Sequence, residues 1–99
     1  MRGKDRAALR AEAHHLNPTV QVGQQGITDS VVTSLDDALR ARELVKIQVT
    51  RTSPVSAKEA AGELASRVGA EVVQVIGRTM TLYRHNPELA HGETPAWRR

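Results

Sequence analysis

Gly23 and Gly26 stand three residues apart and enclose Gln24 and Gln25. A glycine has no Cβ, so a loop built this way can bring its backbone close to another molecule. Thr28 and Asp29 follow and suit the start of a helix. The unpaired N–H groups of a helix's first turn attract anions. The spacing lacks the lysine of a G-x-x-x-x-G-K-[ST] loop and does not match the G-x-G-x-x-G fingerprint. Two readings therefore stand side by side: a backbone grip on phosphate, and a strand-to-helix turn that happens to need two glycines.

The cations point in the same chemical direction. Lys46 sits among apolar residues in a segment that reads as a strand, so it must emerge opposite Val45 and Ile47. Arg78 falls at the tip of an expected hairpin, and Arg84 at the end of the last strand. Arg2, Arg6, Arg10 and His14 recur every fourth residue and would form one basic ridge on a helix, with Lys4 nearby. Each alone is an ordinary surface charge. Together with the residue 23–26 loop they become a polyanion-binding surface if the fold gathers them on one side.

Other chemistry finds little support. No nucleophile, base and orienting group stand in a legible motif, and G-x-S-x-G is absent. His14 and His15 are adjacent and so point to different sides of a helix, a poor arrangement for joint metal ligation, while His85 and His91 lie in or beside the C-terminal segment. There is no Cys, hence no disulfide framework and no thiolate metal site. The expectation is a binding protein without catalysis, cofactor, metal or small-molecule substrate. Lys and Arg number 14 against 11 Asp and Glu, a net charge of +3 that suits a polyanion without requiring one. Tyr83 and Trp97 are the only aromatics. A sheet that stacks bases needs exposed rings, so recognition of phosphate and of the shape of folded RNA is favoured over base stacking.

The elements that must hold these residues follow from periodicity. Leu9, Ala13 and Leu16 make a narrow apolar stripe on a helix over 4–16, which Asn17-Pro18 stops. A short strand covers 19–22, and Val31, Val32, Leu35 and Leu39 mark a helix over 29–42. Residues 44–50 alternate as a strand. Ser56 and Glu59 form a capping box for a third helix that buries Ala57, Ala60, Ala61, Leu64, Ala65 and Val68 and ends at Gly69. Strands over 71–76 and 79–84 flank Gly77-Arg78, a two-residue hairpin loop with glycine first, as a type II′ turn needs.

The order is α-β-α-β-α-β-β, an α/β domain with a four-stranded mixed sheet and right-handed crossovers. Its 99 residues suit a single domain, placed at 1–85, with 86–99 as a flexible tail containing Pro87, Gly92 and Pro95. The apolar runs are too short to span a membrane, and the start of the chain lacks the apolar stretch of a secretory signal. A cytoplasmic location is expected.

The ordered set Leu16-Asn17-Pro18, Val22-Gly23-Gln24-Gln25-Gly26-Ile27-Thr28, Leu44-Val45-Lys46-Ile47, Val73-Gln74-Val75-Ile76-Gly77-Arg78-Thr79 and Leu82-Tyr83-Arg84 closely resembles the YhbY family, the stand-alone bacterial form of the CRM domain. The resemblance covers about residues 4–85. It implies a fold related to the C-terminal domain of translation initiation factor 3. It also implies a G-x-x-G loop, compared with that of KH domains, that contacts RNA backbone, and association with precursors of the large ribosomal subunit. Carried across by position, the loop is Gly23 to Gly26, the strand lysine Lys46 and the hairpin cation Arg78. Many members carry a basic residue inside the loop, where this chain has two glutamines. The resulting RNA-contact set is Gly23, Gln24, Gln25, Gly26, Lys46, Arg78, Arg6, Arg10, Lys4 and Arg84, acting on structured large-subunit rRNA in ribosome assembly. The alternative is an interaction module whose basic face meets an acidic protein.

Overall fold

The structure, a computed structural model, describes residues 3–86, with side chains from Arg6 onward. In chain order the elements are α1 (Gly3–Ala13), β1 (Val20–Val22), α2 (Asp29–Arg42), β2 (Leu44–Val49), α3 (Ala57–Val68), β3 (Glu71–Ile76) and β4 (Thr79–Tyr83). Each expected element is present. α1 ends at Ala13, before Asn17-Pro18, and His14 and His15 form a turn. Lys4 lies in α1, but its side chain is outside the described residues, as is all of Arg2.

The sheet runs β1-β2-β4-β3. β1 lies parallel to β2, and β4 is antiparallel to both β2 and β3. β4 closes the hairpin with β3 and inserts beside β2, so the central strands are the last and the second in the chain. α2 and α3 cover one face, where Val20, Val22, Val45, Ile47, Val49, Met80 and Leu82 meet Leu35, Leu39, Ala60, Ala61 and Leu64. The alanines of α3 let that helix sit close to the sheet, and they are buried as their spacing requires.

α1 crosses the opposite face and covers only part of it, where Leu9 packs with Leu44 and Val73, flanked by Leu16 and Tyr83. This narrow contact follows from the narrow stripe on α1. It also takes Tyr83 into the packing, so the last aromatic of the domain is not an open platform. Val73 reaches this cluster at a register irregularity between Val72 and Gln74. The extra residue shifts the inward-facing position there.

The helix ends behave as local chemistry dictates. Thr28 Oγ1 accepts from the Val31 amide (3.2 Å), and Ser56 Oγ accepts from the Glu59 amide (3.1 Å) while donating to the Glu59 carboxylate (3.1 Å). Gly69 closes α3 in the left-handed region at φ 66°. α2 ends unexpectedly on Glu43, at φ 65° and 2% exposed. A non-glycine residue at such an angle is strained by about 1–3 kcal/mol and persists only where its surroundings fix it. Here the Glu43 amide donates to the Leu39 carbonyl and its carbonyl accepts from the Arg84 amide, both at 2.9 Å. Its carboxylate accepts from His85 Nδ1 (2.9 Å) and from the Asn86 amide (2.6 Å). His85 and Asn86 are thus tied to the domain, one residue past the expected boundary at 85. The expected tail otherwise falls outside the described residues. No described helix is long and apolar enough to cross a membrane.

Candidate nucleic-acid interface

Because β1 and β2 are parallel, the loops after them emerge at one end of the sheet. The β3–β4 hairpin turns at the same end: the Val49 amide donates to the Arg78 carbonyl (2.7 Å) and the Thr50 amide to the Val22 carbonyl (2.9 Å). Three loops therefore meet there, at residues 23–28, 50–56 and 77–78. α2 and α3 also begin at this end, so the positive ends of two helix dipoles lie behind the loops.

In the first loop the Gly26 amide donates to the Gly23 carbonyl (2.9 Å), closing a turn with Gln24 and Gln25 exposed at its tip. The two glycines differ. Gly26 has φ +71°, a conformation that favours glycine, and a Cβ there would press on Pro54 Cγ at 3.1 Å, so the 50–56 loop would have to give slightly. Gly23 has no positive φ, and a Cβ on it would meet nothing within 4 Å. The turn reading thus accounts for Gly26, while nothing in the described fold asks for glycine at 23.

Arg78 is exposed at the hairpin tip and lines a cavity of about 280 Å³ together with Arg51, Ser53, Pro54 and Ser56. Arg51 is a cation that the sequence reading passed over. The signal for it was topological: ligands of α/β sheets gather outside the carboxyl ends of parallel strands, and Arg51 follows such an end just before the Thr52-Ser53-Pro54 break. Arg51 and Arg78 enter none of the ion pairs formed among the described residues.

Lys46 emerges opposite Val45 and Ile47 as expected, half-buried, and its ammonium donates to the carbonyls of Ala13 (3.5 Å) and Leu16 (3.4 Å). A cation at a helix C-terminus is favourable, so Lys46 first fixes the end of α1. It also borders the open sheet face beside His14, Thr81 and Gln74. Arg6 and Arg10 are exposed on α1, about two turns and one turn before its end at Ala13 and His14. His14, in the turn that follows α1, lines the open face with Lys46, Thr79 and Ile76; beyond Ile76 lie the Arg78 hairpin, Arg51 and Pro54, and Pro54 stands beside Gly26.

Arg84, expected on this surface, is turned inward at the other end of β4. Its Nη1 donates to Asp36 Oδ1 (2.7 Å) and the Val68 carbonyl (2.9 Å), and Nη2 to the Asp36 carbonyl (3.2 Å). It joins α2 to α3 as a structural clamp. The Arg84 guanidinium hydrogen bond, aided by its charge and that of Arg40, holds the Asp36 carboxyl below its ordinary value against the opposing effect of burial. Arg40–Asp36 and Arg67–Glu63 pair at 3.1 Å each along the helices. Arg40, Arg67 and Arg84 are thus paired with acids of α2 and α3, while Arg51 and Arg78 enter no ion pair among the described residues. No cluster of three or more His, Cys, Asp or Glu residues able to hold a metal occurs among the described residues.

The sequence matches the family model described as the CRS1 / YhbY (CRM) domain over residues 1–84. The Probable RNA-binding protein YqeI of Bacillus subtilis is 37% identical over 93 residues, covering 94% of this chain and 97% of that protein. A Haemophilus influenzae protein named RNA-binding protein is 33% identical, covering 86% of each. The solution structure of the hypothetical protein SAV1595 from Staphylococcus aureus, a candidate RNA binder, superposes with a TM-score of 0.77 at 36% identity, covering 96% of this chain and 99% of that one. A family match over residues 1–84, a Bacillus subtilis relative matched over 97% of its length, and a shared fold agree: the chain belongs to the CRS1/YhbY (CRM) domain family.

Proposed function

We propose that this protein binds structured RNA through its phosphate backbone and acts without turnover. The carrying observation is the meeting of the Gly23–Gly26 turn, Arg51 and Arg78 at the end of the sheet where two helices begin. The names of the relatives support RNA as the polyanion. In this reading the backbone of the turn approaches phosphate at Gly23, and Gln24 and Gln25 add neutral hydrogen-bonding groups. Arg51 and Arg78 neutralise adjoining phosphates, and Arg6 and Arg10 extend the contact along α1. Lys46 contributes its field from the end of that helix. Lys4 belongs to the same ridge by its spacing. Arg84 does not take part.

The RNA is rRNA of the large-subunit precursor, and the protein holds it in shape during assembly in the cytoplasm. This finer assignment rests on the family resemblance. Binding should weaken linearly in a plot of log K against log salt, with a slope of about −0.7 to −0.9 per neutralised phosphate. The decisive experiment tags the protein, crosslinks it in cells and sequences the attached RNA, alongside RNase-sensitive co-sedimentation with ribosomal particles. Recovery of large-subunit precursor rRNA is expected. Salt-insensitive capture of an acidic protein that survives RNase would overturn the reading in favour of a protein-interaction module.

A further inference from the structure

The sheet face that carries α1 is only half covered. α1 packs over Leu44, Val73 and Tyr83, where Leu44 and Tyr83 are cross-strand partners. Two further cross-strand rows lie beyond it: Lys46, Thr81 and Gln74, then Gln48, Thr79 and Ile76. A cavity of about 290 Å³ opens there, lined by His14, Lys46, Gln74, Ile76, Thr79 and Thr81. That is the lower end of the range for small-molecule sites, about 300–1,000 Å³, and it suits one ring system.

Two side chains in this cavity are unexplained by the fold. Thr81 is 1% exposed, on a central strand, and its hydroxyl has no hydrogen-bond partner among the described residues. Buried hydroxyls are normally paired, and each exception asks for a reason. Ile76 is a large apolar residue left 59% exposed on the rim. A phosphate would use neither of them well. It gains nothing from an isoleucine, and the nearest cation, Lys46, is already drawn to the carbonyls ending α1. A flat ring with donors and acceptors on its edge and apolar faces would use both. Gln74 can donate and accept at once, as side-chain amides do when they read a base edge.

We propose that this cavity receives a single unpaired RNA base, read along its edge by Gln74 and the Thr81 hydroxyl and covered on one face by Ile76. The site rests on the RNA-binding reading above and adds a base contact that needs no aromatic ring. Its position fits that reading: Ile76 and Thr79 flank the Gly77-Arg78 hairpin, so backbone held by Arg78 would pass the cavity mouth.

The test uses the full chain and a hairpin RNA with one bulged nucleotide, prepared with each of the four bases and with an abasic residue. One or two net hydrogen bonds predict that at least one base-containing hairpin binds about five- to tenfold more tightly than the abasic one. Thr81→Val keeps the β-branched shape and should abolish this preference while leaving abasic affinity unchanged. Gln74→Ala, on the edge strand, repeats the test without touching the core. Equal affinity of the unaltered protein for all five hairpins would overturn the site, as would a preference that survives both substitutions. Failure to bind any hairpin would instead remove the RNA reading, and the base site with it.

Discussion

Alanine at Gly23 and alanine at Gly26 should have opposite consequences, and the structure supplies the reason. At Gly26 the backbone sits at φ +71°, where an L side chain is strained by about 1–2 kcal/mol. The new Cβ would also lie 3.1 Å from Pro54 Cγ, so the 50–56 loop must shift. The reduced entropy of the unfolded chain offsets about 0.4–1 kcal/mol. A net loss of about 1–2 kcal/mol follows, and a domain of this size loses about 4–8 °C of Tm per kcal/mol. At Gly23 the φ is not positive and the Cβ meets nothing within 4 Å. Only the unfolded-state effect remains, so Tm should hold or rise. Binding should show the reverse emphasis: a methyl at 23 would hold the phosphate away from the turn and forfeit about one charge-assisted hydrogen bond. That bond is worth about 1.5–3 kcal/mol, or about ten- to a hundredfold in Kd. Thermal melts and fluorescence anisotropy on a structured rRNA fragment measure both quantities. Wild-type affinity in a folded Gly23→Ala protein would refute the backbone grip, and an unchanged Tm in Gly26→Ala would refute the packing argument.

Replacing Gln24 and Gln25 together with Asp should leave stability within about 0.5 kcal/mol, as for exposed sites. RNA affinity should fall by at least about tenfold, since an acid about 4 Å from a phosphate costs about 1 kcal/mol even in bulk water; a binding titration at fixed salt decides. Arg51→Ala and Arg78→Ala should each flatten the log–log salt slope by about 0.7–0.9, and an unchanged slope would take that arginine off the interface. Arg84→Ala should leave RNA affinity unchanged in a folded protein but reduce stability by about 1–3 kcal/mol, because it removes bonds to Asp36 and Val68. The Asp36 carboxyl is lowered in the folded state, so its contribution is complete above the ordinary carboxylate value. That contribution is lost as pH falls through the lowered value. Denaturant melts from neutral to acidic pH should show this acid-side loss in the unaltered protein and less of it in Arg84→Ala. Thr81→Val should raise stability by about 1 kcal/mol by removing an unpaired buried hydroxyl, as a shift in denaturant midpoint at constant m.

What the sequence determined by itself was everything governed by local periodicity and capping. The stripe on α3, the Ser56–Glu59 box, the Gly69 end of α3 and the alternation of Val45, Ile47 and Val49 each encode their element within a few residues, so each is legible locally. The resemblance likewise placed the Gly23–Gly26 loop, because its motifs lie in fixed order. Tertiary structure decided what depends on residues far apart in the chain. Arg84 and Asp36 are 48 positions apart, and only the docking of α2 beside the end of β4 turns that arginine from a surface cation into a clamp. Lys46 was legible as facing away from the core, yet its ammonium is held by carbonyls some thirty residues earlier, because α1 happens to end above it. Glu43 carries no turn signal, and its strained angle is fixed by Leu39, Arg84, His85 and Asn86 acting together. Arg51 joined Arg78 only once the parallel pairing of β1 with β2 and the insertion of β4 set three loops at one end. Periodicity reports which face a residue occupies, whereas strand order decides which faces and loops become neighbours, and that order pairs residues distant in the chain, which no local pattern records.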